Sequence, residues 1–243
     1  MSNAASVRPS RPSFCKFDRA EAMHKALAQE IASRLTAAVT RSGQASMVVS
    51  GGTTPGPTFD TLARSDVPWQ NVDVTMTDDR WIDAGSDRSN ERLIRSRLLA
   101  ANAAAARFVP LKTAHAHAHE AEDPVGNAVR AMHRPFDVVV LGMGVDGHVA
   151  SLIPGAKGLA RAMDVSDPAL VRAIEPANLA DMGERMTLTL RALQDSHWIV
   201  LLIRGSAKLK AYEHALMDSD VLAMPARAIL QQTNVPTSVY WSP

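Results

Sequence analysis

Apolar residues recur every three or four positions through EAMHKALAQEIASRLTAAV. Met23, Leu27, Ile31 and Leu35 share one face there, which predicts an amphipathic helix over 21–39. The pattern then changes to a continuous apolar run, SMVVSGG, a short buried strand that stops at Gly51-Gly52. Pro55 and Pro57 suit the first turn of a helix running through Phe59, Leu62 and Ala63. VDVTMTDDRW predicts one further strand ending in acids and an arginine, and SNERLIRSRLLAA a helix over 89–101 capped by Ser89 or Asn90. No clear period marks 103–122, and a helix is predicted near 127–132. Strands follow over 136–141 and 197–205 (HWIVLLIRG), then the helix SAKLKAYEHAL and a closing strand, TSVYW.

Strands alternate with helices, and several strands are apolar on both faces. That combination predicts an α/β fold in which a mostly parallel sheet is covered by helices on both faces. No repeat or linker divides it, so 14–243 reads as a single domain. The start, MSNAASVRPSRPSF, has arginines and prolines with no apolar stretch behind them, and 1–13 reads as a disordered leader rather than a secretory signal. In parallel sheets ligands bind beyond the carboxyl ends of the strands. Chemistry is therefore expected in four loops: Ser50-Gly51-Gly52-Thr53, Asp78-Asp79-Arg80, Gly142 to His148, and Gly205 to Lys208.

Composition narrows the choice of partner. Against 25 acidic residues stand 26 basic ones, so no basic field points to nucleic acid or an anionic membrane. Cys15 is the lone cysteine, which excludes an intrachain disulfide and fits the reducing cytoplasm. No apolar run approaches the roughly 18 residues of a membrane span. No feature sets a number of subunits.

Gly142, Gly144 and Gly147 spell G-x-G-x-x-G, but Pro154-Gly155 cuts off the long helix a dinucleotide site needs, and Asp146 would repel a pyrophosphate. The same glycines also suit an acid–base site. His148 has a near-neutral intrinsic pKa and Asp146, two residues earlier, can orient its ring. From the loop alone, Asp146 as a plain helix cap beside a surface histidine stays equally open. SGGTTP offers amides and hydroxyls for an anion, against the alternative of a tight strand–helix turn. Lys208 is either a phosphate cation or a solvated lysine, and Arg80 either a substrate clamp or half of an internal ion pair. His115, His117 and His119 invite a metal, yet on a helix only the outer two share a face and no second motif supports them. Ser151 lies in no G-x-S-x-G elbow and has no claim as a nucleophile, and Cys15, near the leader, is a poor one.

Taken together the loops resemble the 6-phosphogluconolactonase family. Ser50 to Pro55 matches its S-G-G-[ST]-T-P loop, and Asp78-Asp79-Arg80 with Ser89-Asn90 its D-E-R segment and serine-asparagine pair. Leu141 to Gly155 matches the long L-G-M-G-x-D-G-H-x-A-S-L-[FI]-P-G signature. Arg185, Thr187 and Thr189 match R-x-T-x-T, Gly205 and Lys208 match G-x-x-K, and Pro236 to Trp241 matches the P-x-x-x-Y-W ending. Asp79 stands where glutamate is usual and Asp83 where proline is, so that loop is expected to sit differently.

The resemblance implies a Rossmann-like sheet and hydrolysis of 6-phospho-D-glucono-1,5-lactone to 6-phospho-D-gluconate in the pentose phosphate pathway, with no metal or organic cofactor. It implies His148 as general base, Asp146 orienting it, and Arg80 positioning substrate or meeting the oxyanion. Ser50, Gly51, Gly52, Thr53 and Lys208 would hold the phosphate, with Arg185 a further candidate. Glucosamine-6-phosphate deaminases look similar but follow D-G-H with an acid that Val149 to Pro154 lacks. A sugar-phosphate sensor on the same fold would lose the base, and His148 is present.

Overall fold

The computed structural model describes residues 12–243. Most of the expected leader, residues 1–11, lies outside the described residues, but Ser13 already opens a strand. In chain order the strands are β1 (Ser13–Lys16), β2 (Ala45–Val49), β3 (Val72–Met76), β4 (Asp78–Arg80), β5 (Arg107–Val109), β6 (Val138–Leu141), β7 (Val171–Ile174), β8 (Arg185–Leu188), β9 (Ile199–Arg204) and β10 (Thr237–Ser242). Interleaved with them are α1 (Ala20–Ser42), α2 (Gly56–Leu62), α3 (Asn90–Arg97), α4 (Glu122–Arg130), α5 (Leu159–Met163), α6 (Leu179–Met182), α7 (Leu190–Gln194), α8 (Gly205–Ala215) and α9 (Ala226–Leu230).

Among the described residues seven strands form one sheet in the order β1-β10-β9-β6-β2-β3-β5, every neighbouring pair parallel. All positions of β2 and β6 are buried, as strands covered on both faces must be. Helix α1 supplies part of that cover through the predicted stripe, with Met23, Leu27, Ile31 and Leu35 fully buried. Its carboxyl end is set by Gly43, whose φ of +77° forms the left-handed cap.

From β2 the chain winds outward through β3 to β5, then crosses back to β6 and winds the other way through β9 to β10. The reversal falls between β2 and β6. A crevice opens at such a switch point, because the connections on either side leave in opposite directions. The two loops that begin there are those after Val49 and Leu141.

The apolar stretch expected to be one strand is two. Thr77 separates β3 in the parallel sheet from β4, which joins a small antiparallel sheet of order β4-β8-β7. In it Arg80 pairs in register with Arg185. Helix α4 also starts earlier than expected, at Glu122, with Pro124 tolerated inside its first turn. Among the described residues no helix is long and apolar enough to cross a membrane.

Candidate active site

A cleft of about 380 Å³ lies over the switch point. It brings together Ser50, Gly51, Gly52, Thr53, Arg80, His148, Arg185 and Lys208. Asp146 does not line it but stands behind His148.

After β6 no helix begins before α5 at Leu159, so His148 does not enter one and Asp146 is not the helix cap that the sequence left open. A tight turn forms instead. The Gly144 amide donates to the His148 carbonyl (2.8 Å) and the Gly147 amide to the Gly144 carbonyl (3.1 Å). Gly147 takes φ +78°, a left-handed conformation that glycine adopts without steric cost. A Cβ on Gly144 would lie 2.2 Å from both Asp146 Oδ1 and His148 Nδ1. The glycine gives the pair its room.

Asp146 Oδ1 lies 2.7 Å from His148 Nδ1 and also accepts the His148 amide at 3.2 Å. Burial raises the Asp146 pKa, but the charge and hydrogen bonds of His148 more than offset it, and the carboxyl sits below its ordinary value. An ionised Asp146 can only accept, so it selects the tautomer with the proton on Nδ1. The Nε2 lone pair is then free, and that nitrogen has no partner among the described residues. The ring is 39% exposed, enough for water to reach it.

Across the crevice, the amides from Gly51 to Thr54 and the hydroxyls of Ser50, Thr53 and Thr54 have no protein acceptor or donor among the described residues. A run of uncommitted N–H groups curved around a cavity is an anion cradle. Its position depends on a residue 39 positions away. Asn90 Nδ2 donates to the Asp78 carbonyl (2.8 Å), and its Oδ1 packs so closely on Gly51 that a Cβ there would be 1.9 Å from it. Asn90 is fixed in turn by Asp79. That carboxylate accepts from the amides of Arg80, Asn90 and Glu91 and from the Ser89 hydroxyl at 2.8–3.1 Å, and so occupies the amino end of α3. Burial pushes the Asp79 pKa up against all four donors. Asp83 closes its own turn, accepting the Gly85 amide at 2.7 Å. Both acids that depart from the family pattern thus have local work in the loop between β4 and α3.

Among the described residues four cations line the cleft: Arg80, Arg185, Arg204 and Lys208. Lys208, in the first turn of α8, donates to the Met143 carbonyl. Burial pulls its pKa down while Asp146 attracts its charge. Arg80 Nη1 donates to the Arg88 carbonyl (2.8 Å), and its buried Nε has no partner among the described residues. Arg185 is 9% exposed, with Asp78 Oδ2 at 3.7 Å from its Nη1 and a buried Nε without a partner among the described residues. Burial lowers its pKa, Asp78 opposes that, and the like charge of Arg80 adds to it.

Sequence reasoning missed Asn90 as a cleft residue, Asp78 as the carboxylate facing Arg185, and Arg204. Each had a local signal, Asp78 in the D-D-R loop, Asn90 in the serine-asparagine pair and Arg204 directly before the Gly205 of G-x-x-K, but none of these signals gave the contact it makes. The histidine tract is not part of the cleft. It docks on the outer side of the small sheet, where Trp81 Nε1 donates to the carbonyls of His115 and Ala116 (3.1 Å each) and His117 Nδ1 meets Glu184 Oε1 at 2.8 Å. Among the described residues no group of three or more histidine, cysteine or acidic side chains is placed to hold a metal.

Residues 18–241 match the family described as glucosamine-6-phosphate isomerases/6-phosphogluconolactonase. A 6-phosphogluconolactonase of Rhizobium meliloti is 40% identical over 227 residues, covering 93% of this chain and 97% of that protein. One of Mesorhizobium japonicum is 42% identical over 219 residues, 90% of each. The crystal structure of a 6-phosphogluconolactonase from Shewanella baltica, 40% identical, superposes with a TM-score of 0.93 over 97% of this chain and 100% of that one.

Proposed function

We propose that this chain, which belongs to the glucosamine-6-phosphate isomerase/6-phosphogluconolactonase family, hydrolyses 6-phospho-D-glucono-1,5-lactone with His148 as the general base. The observation that carries the mechanism is the His148–Asp146 pair, 2.7 Å apart, set across a crevice from a run of uncommitted amides. The cradle from Ser50 to Thr54, with Lys208 and Arg185, takes the phosphate. The lactone ring then lies toward His148, and the phosphate's binding energy orients the carbonyl.

His148 Nε2 takes a proton from water as its oxygen bonds to C1. Negative charge moves to the carbonyl oxygen, where Arg80 is the available cation. On collapse the bond from C1 to the ring oxygen breaks, and the imidazolium returns its proton to that oxygen. Asp146 stabilises the charged ring between the two transfers. The lactone is an activated ester, so one base and one cation suffice.

The alternative within the family, deamination of glucosamine 6-phosphate, needs acids on both sides of the sugar. Asp78 is the one carboxylate among the described cleft residues, and its oxygens are engaged by Thr77 (2.8 Å) and Ser151 (2.5 Å). Supplying both phosphosugars and unphosphorylated gluconolactone, with the spontaneous rate subtracted, tests the reading. We expect hydrolysis of the phosphorylated lactone, much slower hydrolysis of the other, and no ammonia. Ammonia release, or equal rates on the two lactones, would overturn it.

A further inference from the structure

Ser151 is fully buried beneath the cleft, three residues after His148. Ala150 between them takes φ +51°, a left-handed conformation unusual for a residue with a Cβ, and this turns the chain from the cleft into the core. Three contacts fix Ser151 at the end of that turn. Its amide donates to Thr187 Oγ1 (3.2 Å), its hydroxyl donates to Asp78 Oδ2 (2.5 Å), and the same oxygen accepts from Arg185 Nη1 (3.3 Å). A hydroxyl has one proton and two lone pairs, so these roles are compatible.

A buried arginine beside a buried carboxylate ordinarily closes into a bidentate pair with bonds of about 2.7–2.9 Å. Here Arg185 Nη1 stops 3.7 Å from Asp78 Oδ2. The reason is visible in the carboxylate. Thr77 Oγ1 occupies Oδ1 at 2.8 Å, and Ser151 occupies Oδ2 from the side on which Arg185 would approach. Arg185 keeps its counter-ion close enough to remain charged in the core, yet its Nε has no partner among the described residues and the side chain lines the cleft.

We propose that Ser151 is a positioning residue, a wedge that stops Asp78 from capturing Arg185 and so keeps the guanidinium available to the substrate's phosphate. Replacing Ser151 by alanine frees Oδ2, and Arg185 folds onto Asp78. The cleft loses an anion-binding cation without losing any residue that touches the ligand. His148 is held separately by Asp146, so the loss falls on binding more than on turnover. The ligand named here rests on the lactonase reading; the anion site itself does not.

The test is titration of the full chain with two probes, 6-phosphogluconate and inorganic phosphate, alongside lactone kinetics. Ser151→Ala should weaken both probes about 10-fold or more, the worth of a charge-assisted hydrogen bond, and raise KM similarly with a smaller change in kcat. Arg185→Gln should cost about as much, and the double variant no more than Arg185→Gln alone. In an Asp78→Asn background, where no carboxylate remains to draw the guanidinium in, Ser151→Ala should weaken both probes far less than it does in the wild-type background. Unchanged affinity in Ser151→Ala, or losses that multiply in the double variant, would overturn the wedge. Should the alanine variant not fold, Ser151→Cys, a much weaker donor, carries the same expectation. Wild-type binding of phosphate without 6-phosphogluconate would reject the lactonase reading and leave the wedge to be decided on phosphate.

Discussion

Along the wall of the cleft built by the parallel sheet, at Ser50 to Thr54 and at His148 Nε2, polar groups have no protein partner among the described residues. Along the wall built by β4 and β8, most are engaged: Asp78 by Thr77 and Ser151, Arg185 by Ser151, Arg80 by Arg88, Asn90 by Asp78. The difference follows from what each wall does in the proposed reaction. A base and an anion cradle need open valences when substrate arrives, and the ends of parallel strands provide them beside water. A buried cation needs a counter-ion nearby to exist at all, and hydroxyl spacers keep that counter-ion from taking it over. One wall works by leaving groups free, the other by holding them almost satisfied.

The sharpest way to break this division is His148→Ala. Loss of the proposed base should lower kcat by about 10²–10⁴-fold while the dissociation constant of 6-phosphogluconate stays near wild type. Stopped-flow turnover and calorimetry on one preparation separate the two. If binding fell as far as turnover, the histidine would belong to the binding wall and the division would be misdrawn.

Lys208 tests the contrast from inside, being a cation on the parallel-sheet wall that is partly committed, with one proton donated to the Met143 carbonyl. An ammonium has three donors, so two remain for a phosphate. Lys208→Ala should weaken 6-phosphogluconate by roughly 10- to 150-fold, the worth of about 1.5–3 kcal/mol. Turnover at saturation should change less. Burial holds the Lys208 pKa below the usual lysine range, so wild-type affinity should fall with rising pH earlier than an ordinary lysine would cause. That fall should be absent in the variant. An unchanged dissociation constant would make Lys208 a strut for the Met143 carbonyl.

The two walls also differed in how far the sequence revealed them. Buried parallel strands read as unbroken apolar runs, and their loops break into glycine because backbone must approach a ligand. SMVVSGG and FDVVVLGMG therefore displayed both the strands and the crevice between them. The small sheet has no such signal. Its strand β4 is three residues long and follows β3 after a single threonine, so the two read as one strand. Pairing of Arg80 with Arg185 joins positions 105 apart, and no local period encodes that. The same holds for Asn90 over Gly51. Strand β1 was masked by the arginines and prolines before it, and the start of α4 by Pro124, a breaker everywhere except a first turn. Ser151 was judged only as a nucleophile, a role its burial excludes; the Asp78 contact that gives it another spans 73 positions.

The smallest expected effect lies farthest from the chemistry, where the small sheet is clasped from outside by the histidine tract. His117 Nδ1 meets Glu184 Oε1 at 2.8 Å, and Glu184 Oε2 accepts the Ala118 amide at the same distance. Glu184 directly precedes Arg185, and its carbonyl accepts the Trp81 amide at 2.7 Å, one residue after Arg80. The hydrogen bond and charge of Glu184, with Glu120 and Glu175 beyond it, raise the His117 pKa against a small desolvation cost. Burial pushes Glu184 up, but the Ala118 amide and His117 bring it below its usual value. Around this pair stand Glu120, which accepts the His117 amide, and His119, stacked on the ring. A raised histidine contributes stability that is complete below its ordinary pKa and is lost as pH rises through the raised one. A lowered glutamate contributes above its ordinary pKa and fails as pH falls through the lowered one. Both contributions coexist at about pH 5–6, between the ordinary values of the two groups. His117→Gln should therefore lower the melting temperature slightly there, since an exposed pair is worth little. The gap should close as pH rises through the raised His117 pKa and the imidazole loses its charge. Affinity for 6-phosphogluconate should be unchanged, because the cleft face of β4 and β8 is held from within by Asp78 and Ser151. A gap in melting temperature as wide at alkaline pH as at acid would mean that the ring clasps the sheet by packing, and that charge has no part in anchoring this wall.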